Sequence, residues 1–159
     1  MKKAFTLVEL LVAMSILAIL STVGLASFRS SQLKSRDAQR KSDLKQIANA
    51  LEIFNNDYGR YPSSDNGKIK ACSYPSGVCT WGESEMSDVK TIYLRKVPAD
   101  PSGYNYYYRT RENNKAFQIY AYLENTQDKN LITLPITSYP CGEKTCNFAI
   151  TSSNVGPMD

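Results

Sequence analysis

A chain of 159 residues has room for one domain of ordinary size and excludes two independent catalytic domains. Its 42% hydrophobic and 21% charged composition excludes a disordered chain, and the lack of histidine removes the usual general base and every Ser-His or Cys-His nucleophile pair. The net charge of +4, of which Lys2 and Lys3 supply two, is too small to indicate a nucleic-acid binder by itself.

From Ala4 to Phe28 the only charged side chain is Glu9, and Leu10 to Phe28 is an uncharged run. About 20 such residues cross a bilayer core, so this is a candidate membrane-spanning helix. Lys2 and Lys3 precede it, which by the positive-inside rule keeps the N-terminus in the cytoplasm and places the rest of the chain outside. A cleaved secretory signal would have a shorter apolar core followed by a small-x-small site, whereas here the small residue Ala4 comes before the apolar run. Glu9 is costly inside lipid, roughly 2.5 to 3.5 kcal/mol on insertion scales, unless it reaches the interface or finds a partner.

The stretch Lys2-Lys3-Ala4-Phe5-Thr6-Leu7-Val8-Glu9-Leu10-Leu11 resembles the class III leader of type IV pilins and pseudopilins. The resemblance implies an α+β pilin fold, a long helix packed on a small antiparallel sheet. It also implies cleavage between Ala4 and Phe5 by a prepilin peptidase, N-methylation of Phe5, and assembly through Phe5 and Glu9. In that family the Glu9 carboxylate is expected to pair with the terminal amine of an adjoining subunit, which neutralises both charges in an apolar filament core. Two departures stand out: Ala4 replaces the usual glycine, and the apolar half lacks the proline that many pilins carry.

Beyond Phe28 no helix breaker appears until Gly59 and Pro62, so the helix is predicted to run from Phe5 to about Asp57. Leu44, Ile47, Leu51, Phe54 and Tyr58 draw one apolar stripe. Arg36, Arg40, Lys41, Asp43 and Lys45 read as a solvated or subunit-facing surface, with Asp37 and Lys41 spaced to pair. A nucleic-acid patch there is the minority reading, because Asp37 and Asp43 interrupt the basic run.

Residues 58–90 read as a connecting loop, 91–137 as a sheet and 138–159 as a C-terminal loop region. Strands are predicted at Thr91–Val97, Tyr104–Arg111, Ala116–Glu124, Leu131–Thr137 and Phe148–Thr151, with Glu112 to Lys115 turning a hairpin. Phe117, Ile119, Ala121 and Leu123 should face the helix, leaving Gln118, Tyr120 and Tyr122 on an exposed face. Eleven tyrosines suit β-propensity and subunit contacts better than adhesion or electron transport.

Cys72 with Cys79 and Cys141 with Cys146 are disulfide candidates in an exported domain. A zinc site would show tighter pairs, and sequence does not choose among the three connectivities. No metal, cofactor or catalytic constellation is legible.

The stretch Val97 to Tyr104 resembles the loop-to-sheet region of pilins and major pseudopilins. The calcium loop that major pseudopilins often carry is not recognisable, and Asp128 with Asn130 reads as turn chemistry. On that ground a type IV pilus-like surface filament of identical subunits comes first. A pseudopilin of a type II secretion or DNA-uptake machine is second, and a signal-anchored binding domain third. The implied partners are copies of the chain, a prepilin peptidase, a membrane assembly platform and, before assembly, the cytoplasmic membrane.

Overall fold

A computed structural model of the protein describes residues 6–73, 77–133 and 139–158. They fall into two compact units, Met1–Ser35 and Arg36–Asp159. Helix α1 runs Leu7–Tyr58. At its start Glu9 N donates to Thr6 Oγ1 at 3.2 Å, so Thr6 caps the first turn. At its end Gly59 adopts φ +66, which a Cβ-bearing residue resists, and its amide donates to Asn55 O at 2.8 Å.

In the first unit the large apolar side chains described between Leu7, at 76%, and Phe28, at 61%, are exposed. The hydroxyls of Ser15, Ser21 and Thr22 donate to the carbonyls of Val12, Leu17 and Ile19. No polar group of theirs is left in need of water, which is what a lipid or helix-bundle environment demands.

The second unit is an α+β pilin-like fold built on the C-terminal half of α1. Short strands follow the helix: β1 Ser64–Asp65, β2 Lys68–Ile69, β3 Met86–Ser87 and β4 Ile92–Leu94. Then come β5 Tyr107–Arg111, β6 Ala116–Ala121, β7 Pro140–Cys141, β8 Lys144–Thr145 and β9 Phe148–Thr151. The main sheet has the antiparallel order β5-β6-β9, with Tyr108 opposite Ile119 and Ile119 opposite Ile150. Leu44, Ile47, Leu51 and Phe54 have no exposed surface and pack with Tyr108, Phe117, Ile119 and Ala121 in one core. Tyr58, the fifth residue of the predicted stripe, is 37% exposed but stacks on Phe54 at 4.5 Å.

Several expectations change. The loop predicted over 58–90 contains β1, β2 and β3. The strand predicted from Thr91 shrinks to β4, and those from Tyr104 and to Glu124 are trimmed to β5 and β6. Leu131 to Thr133 are not extended into a strand, and the rest of that candidate lies outside the described residues. Gln118 and Tyr120, expected on an open face, have no exposed surface. The reason is the tail. Tyr120 packs with Cys141, Cys146 and Tyr139, and the carbonyls of Gly156 and Pro157 accept hydrogen bonds from Gln118 and Tyr120. The sheet therefore has two covered faces, the helix on one and, on the other, residues 139–146 and 156–157, which flank β9 in sequence.

Candidate functional site

Ala4 and Phe5, the expected cleavage and methylation positions, lie outside the described residues. Glu9 sits in the first turn of α1 and is exposed. Its backbone amide is bonded to Thr6, and its carboxylate has no partner among the described residues. A negative charge in a helix's first turn is favoured by the helix dipole, but that offsets only part of the cost of apolar surroundings.

Further along α1 the expected solvated surface is an ionic clamp. Arg40 has no exposed surface although it is charged. Its Nε and Nη2 donate to the two oxygens of Asp100 at 2.6 and 3.0 Å, and Nη1 donates to Asp37 at 2.8 Å. Nη2 also lies 2.8 Å from Glu124 Oε1 and 2.9 Å from Ser102 Oγ. Arg36 takes both oxygens of Glu124, at 2.9 and 2.6 Å. Both guanidiniums thus use the planar fork that matches a carboxylate.

Asp37 does not pair with Lys41 as its spacing suggested. Its two oxygens accept the backbone amides of Glu124 and Asn125 at 2.9 and 2.8 Å, while Lys41 reaches Asp128 at 2.6 Å. Two long-range partners win over an i,i+4 pair worth a few tenths of a kcal/mol, because they satisfy backbone donors that would otherwise be orphaned. Arg36, Arg40 and Lys41 are thus engaged inside the unit, while Lys45 is exposed as the sequence reading expected.

Local sequence sets each partner. Asp100-Pro101-Ser102-Gly103 makes a turn in which Asp100 Oδ1 accepts Ser102 N at 2.8 Å and Gly103 adopts φ +80. That turn aims the Asp100 carboxylate at the helix. Asp128 likewise accepts Asn130 N at 2.9 Å, so the turn reading of that pair holds, with Lys41 as its cation.

The electrostatics follow from these contacts. Burial disfavours the Arg40 charge, but hydrogen bonds to Asp100, Glu124 and Asp37 outweigh it and hold the guanidinium above its ordinary value. The Arg36 hydrogen bond, helped by Arg40 and Ser102, lowers Glu124 to about 2. Burial pushes Asp43 up, against a hydrogen bond from Tyr106 Oη at 2.8 Å. At the far end of α1, Asp88 accepts Tyr58 Oη at 2.6 Å and the amides of Thr91 and Lys90, and is held well below the carboxylate range.

The cysteines pair locally, Cys72 with Cys79 and Cys141 with Cys146, which leaves no thiolate for the zinc alternative. Among the described residues no group of three or more His, Cys, Asp or Glu side chains is placed to hold a metal ion.

Sequence reasoning missed Arg40, Asp100 and Glu124. One signal was present: Arg40 lies four residues before Leu44, on the line of the apolar stripe, where a charge must be matched or excluded.

Comparison with known proteins adds two family matches. Residues 1–25 match the prokaryotic N-terminal methylation motif, and residues 28–130 match the family described as type II secretion system (T2SS), protein G. The chain is 30% identical over 120 residues to the type II secretion system core protein G of Pseudomonas aeruginosa, covering 76% of this chain and 82% of that one. It is 28% identical over 105 residues to the protein of the same name from Klebsiella pneumoniae, covering 66% and 72%. For that of Escherichia coli K12 the figures are 25% over 108 residues, 66% and 70%. No solved structure matches the chain.

Proposed function

The chain belongs to the type II secretion system protein G family, and from that membership we propose that it is a pseudopilin, a structural subunit that polymerises in a secretion machine rather than an enzyme. The observation that carries this is the succession of a methylation motif over 1–25 and the protein G match over 28–130 along a chain whose apolar helical segment is exposed. The two filament readings made from sequence therefore change order: the secretion pseudopilin moves ahead of the surface pilin.

In the proposed mechanism a prepilin peptidase cuts between Ala4 and Phe5 on the cytoplasmic side, and Phe5 is methylated. The apolar segment holds the subunit in the cytoplasmic membrane until an assembly platform passes it into a bundle of identical helices. Its surroundings stay dry throughout, so little apolar area is exposed to water on the way. What changes is Glu9, which gains the terminal amine of a neighbouring Phe5 as its cation. Pairing of two otherwise uncompensated charges fixes the axial register of one helix against the next.

Replacing Glu9 by Ala tests this. The variant is expected to insert in the membrane at the normal level and to lose fibre assembly and secretion. Normal fibres from Glu9→Ala would overturn the pairing.

A further inference from the structure

Between the β1–β2 hairpin and the β7–β8 hairpin lies a cleft of about 280 Å³, bordered by Asn66, Lys68, Trp81, Asn105 and Tyr107. We infer that this cleft is a binding site for one acetamido pyranose unit of a glycan that also carries a carboxylate. The inference does not rest on the secretion reading.

The frame is rigid. Asn66 and Gly67 turn the first hairpin with φ 45 and 79, and Gly142 turns the second with φ 70. The second hairpin is closed by the Cys141–Cys146 disulfide. Tyr107 is held between Tyr139, stacked at 5.2 Å, and Gly67, where a Cβ would stand 2.5 Å from the Tyr107 ring. Trp81 is fixed edge-on against Tyr106 at 5.7 Å. A cleft already ordered in this way loses little entropy when it binds.

Against that frame, the polar groups are unspent. Among the described residues the exposed side-chain carboxamides of Asn66 and Asn105 and the half-buried indole N–H of Trp81 have no hydrogen-bond partner within the protein, and the half-buried Lys68 has no ion pair. Asp65 stands opposite Lys68 across the hairpin without pairing to it. Asn carboxamides both donate and accept, as sugar hydroxyls and an acetamido group do, and the indole adds a donor on an apolar body. The volume suits a single ring rather than an extended ligand. One ammonium matches one carboxylate, whereas a phosphate or a nucleic acid calls for several cations or a fork of donors.

Trp81 is the chain's single tryptophan, so its emission reports on this cleft alone. The full chain, in micelles of a phosphocholine detergent that has no sugar headgroup, is titrated with N-acetylmuramic acid, N-acetylglucosamine and glucose. The expected result is a saturable change with N-acetylmuramic acid, a weaker one with N-acetylglucosamine and a weaker one still with glucose, whose hydroxyls meet the same carboxamides; a glucose response equal to that of N-acetylglucosamine overturns the acetamido group. Asn105→Ala should weaken binding about tenfold, as loss of a hydrogen-bonding group to a bound ligand does. Lys68→Gln should abolish the preference for the acid while leaving N-acetylglucosamine binding intact, which shows that the variant is folded. No saturable change with any sugar overturns the site. A change that both variants leave untouched overturns the assignment of these residues, and an equal response to both acetamido sugars overturns the carboxylate.

Discussion

Arg40 is a buried charge in the second unit, held by three carboxylates. With no exposed surface, it is worth having only because Asp37, Asp100 and Glu124 surround it. Arg40→Ala leaves those carboxylates facing one another and should cost about 3 to 5 kcal/mol, the range for breaking a buried ion pair. Urea denaturation of the full chain measures this, and a loss below about 1 kcal/mol would mean the cluster is hydrated and weak. Glu124 predicts the pH response. Its folded value of about 2 lies below the ordinary 4.5, so its contribution is complete above about 4.5 and is lost as pH falls towards 2. Asp128, lowered by its hydrogen bond from Lys41, acts in the same sense, while Asp43, raised by burial, acts in the opposite one. Thermal melts from pH 6 to pH 2 should therefore fall less steeply for Glu124→Gln than for the parent, and parallel profiles would remove Glu124 from the account.

Among the elements, the C-terminal hairpin is short and is closed by a cross-link. Residues 140–145 form only two short paired strands, and their disulfide is buried under Tyr139 and Tyr120. In the chain-entropy account, opening so short a loop costs about 2 kcal/mol. Cys141→Ser should therefore loosen residues 139–149 while leaving the α1 core protected. Faster amide exchange confined to that segment is the expected result, and an unchanged exchange rate there would show that the aromatic stack alone holds it. The tight turn at Gly67 is a second sensitive point. Gly67→Ala places a methyl against the Tyr107 ring at positive φ, so it should destabilise the β1–β2 hairpin by more than the roughly 1 kcal/mol that glycine freedom alone is worth. Thermal melts of this variant against the parent check that figure.

At the scale of the whole molecule, a processed pseudopilin has a defined mass and a defined place in the cell. The unreduced chain should begin at Phe5, weigh one methyl group more than that sequence, and lack four hydrogens for its two disulfides. As a pseudopilin it should be found in the cell envelope. The same species recovered in quantity from sheared surface filaments would restore the pilus reading. Retention of Met1 to Ala4 everywhere would make the chain a signal-anchored domain.

Much of this was legible along the chain because it depends on local pattern. The apolar segment, the leader motif, the stripe Leu44 to Phe54 and the hairpin at Glu112 to Lys115 are set by composition, spacing and turn chemistry, which neighbouring residues determine among themselves. Phe148–Thr151 is predicted and found over the same residues for that reason. What was not legible depends on groups far apart in sequence. Alternation in β6 announces two faces but not what covers the second, so Gln118 and Tyr120 read as solvated until residues 139–146 and 156–157 are folded over them. Charge spacing on α1 suggested an Asp37–Lys41 pair, yet partners 87 and 88 residues away displaced it. A buried charge is stable only beside its counter-charges, and their identity is decided by tertiary contact rather than by helical spacing.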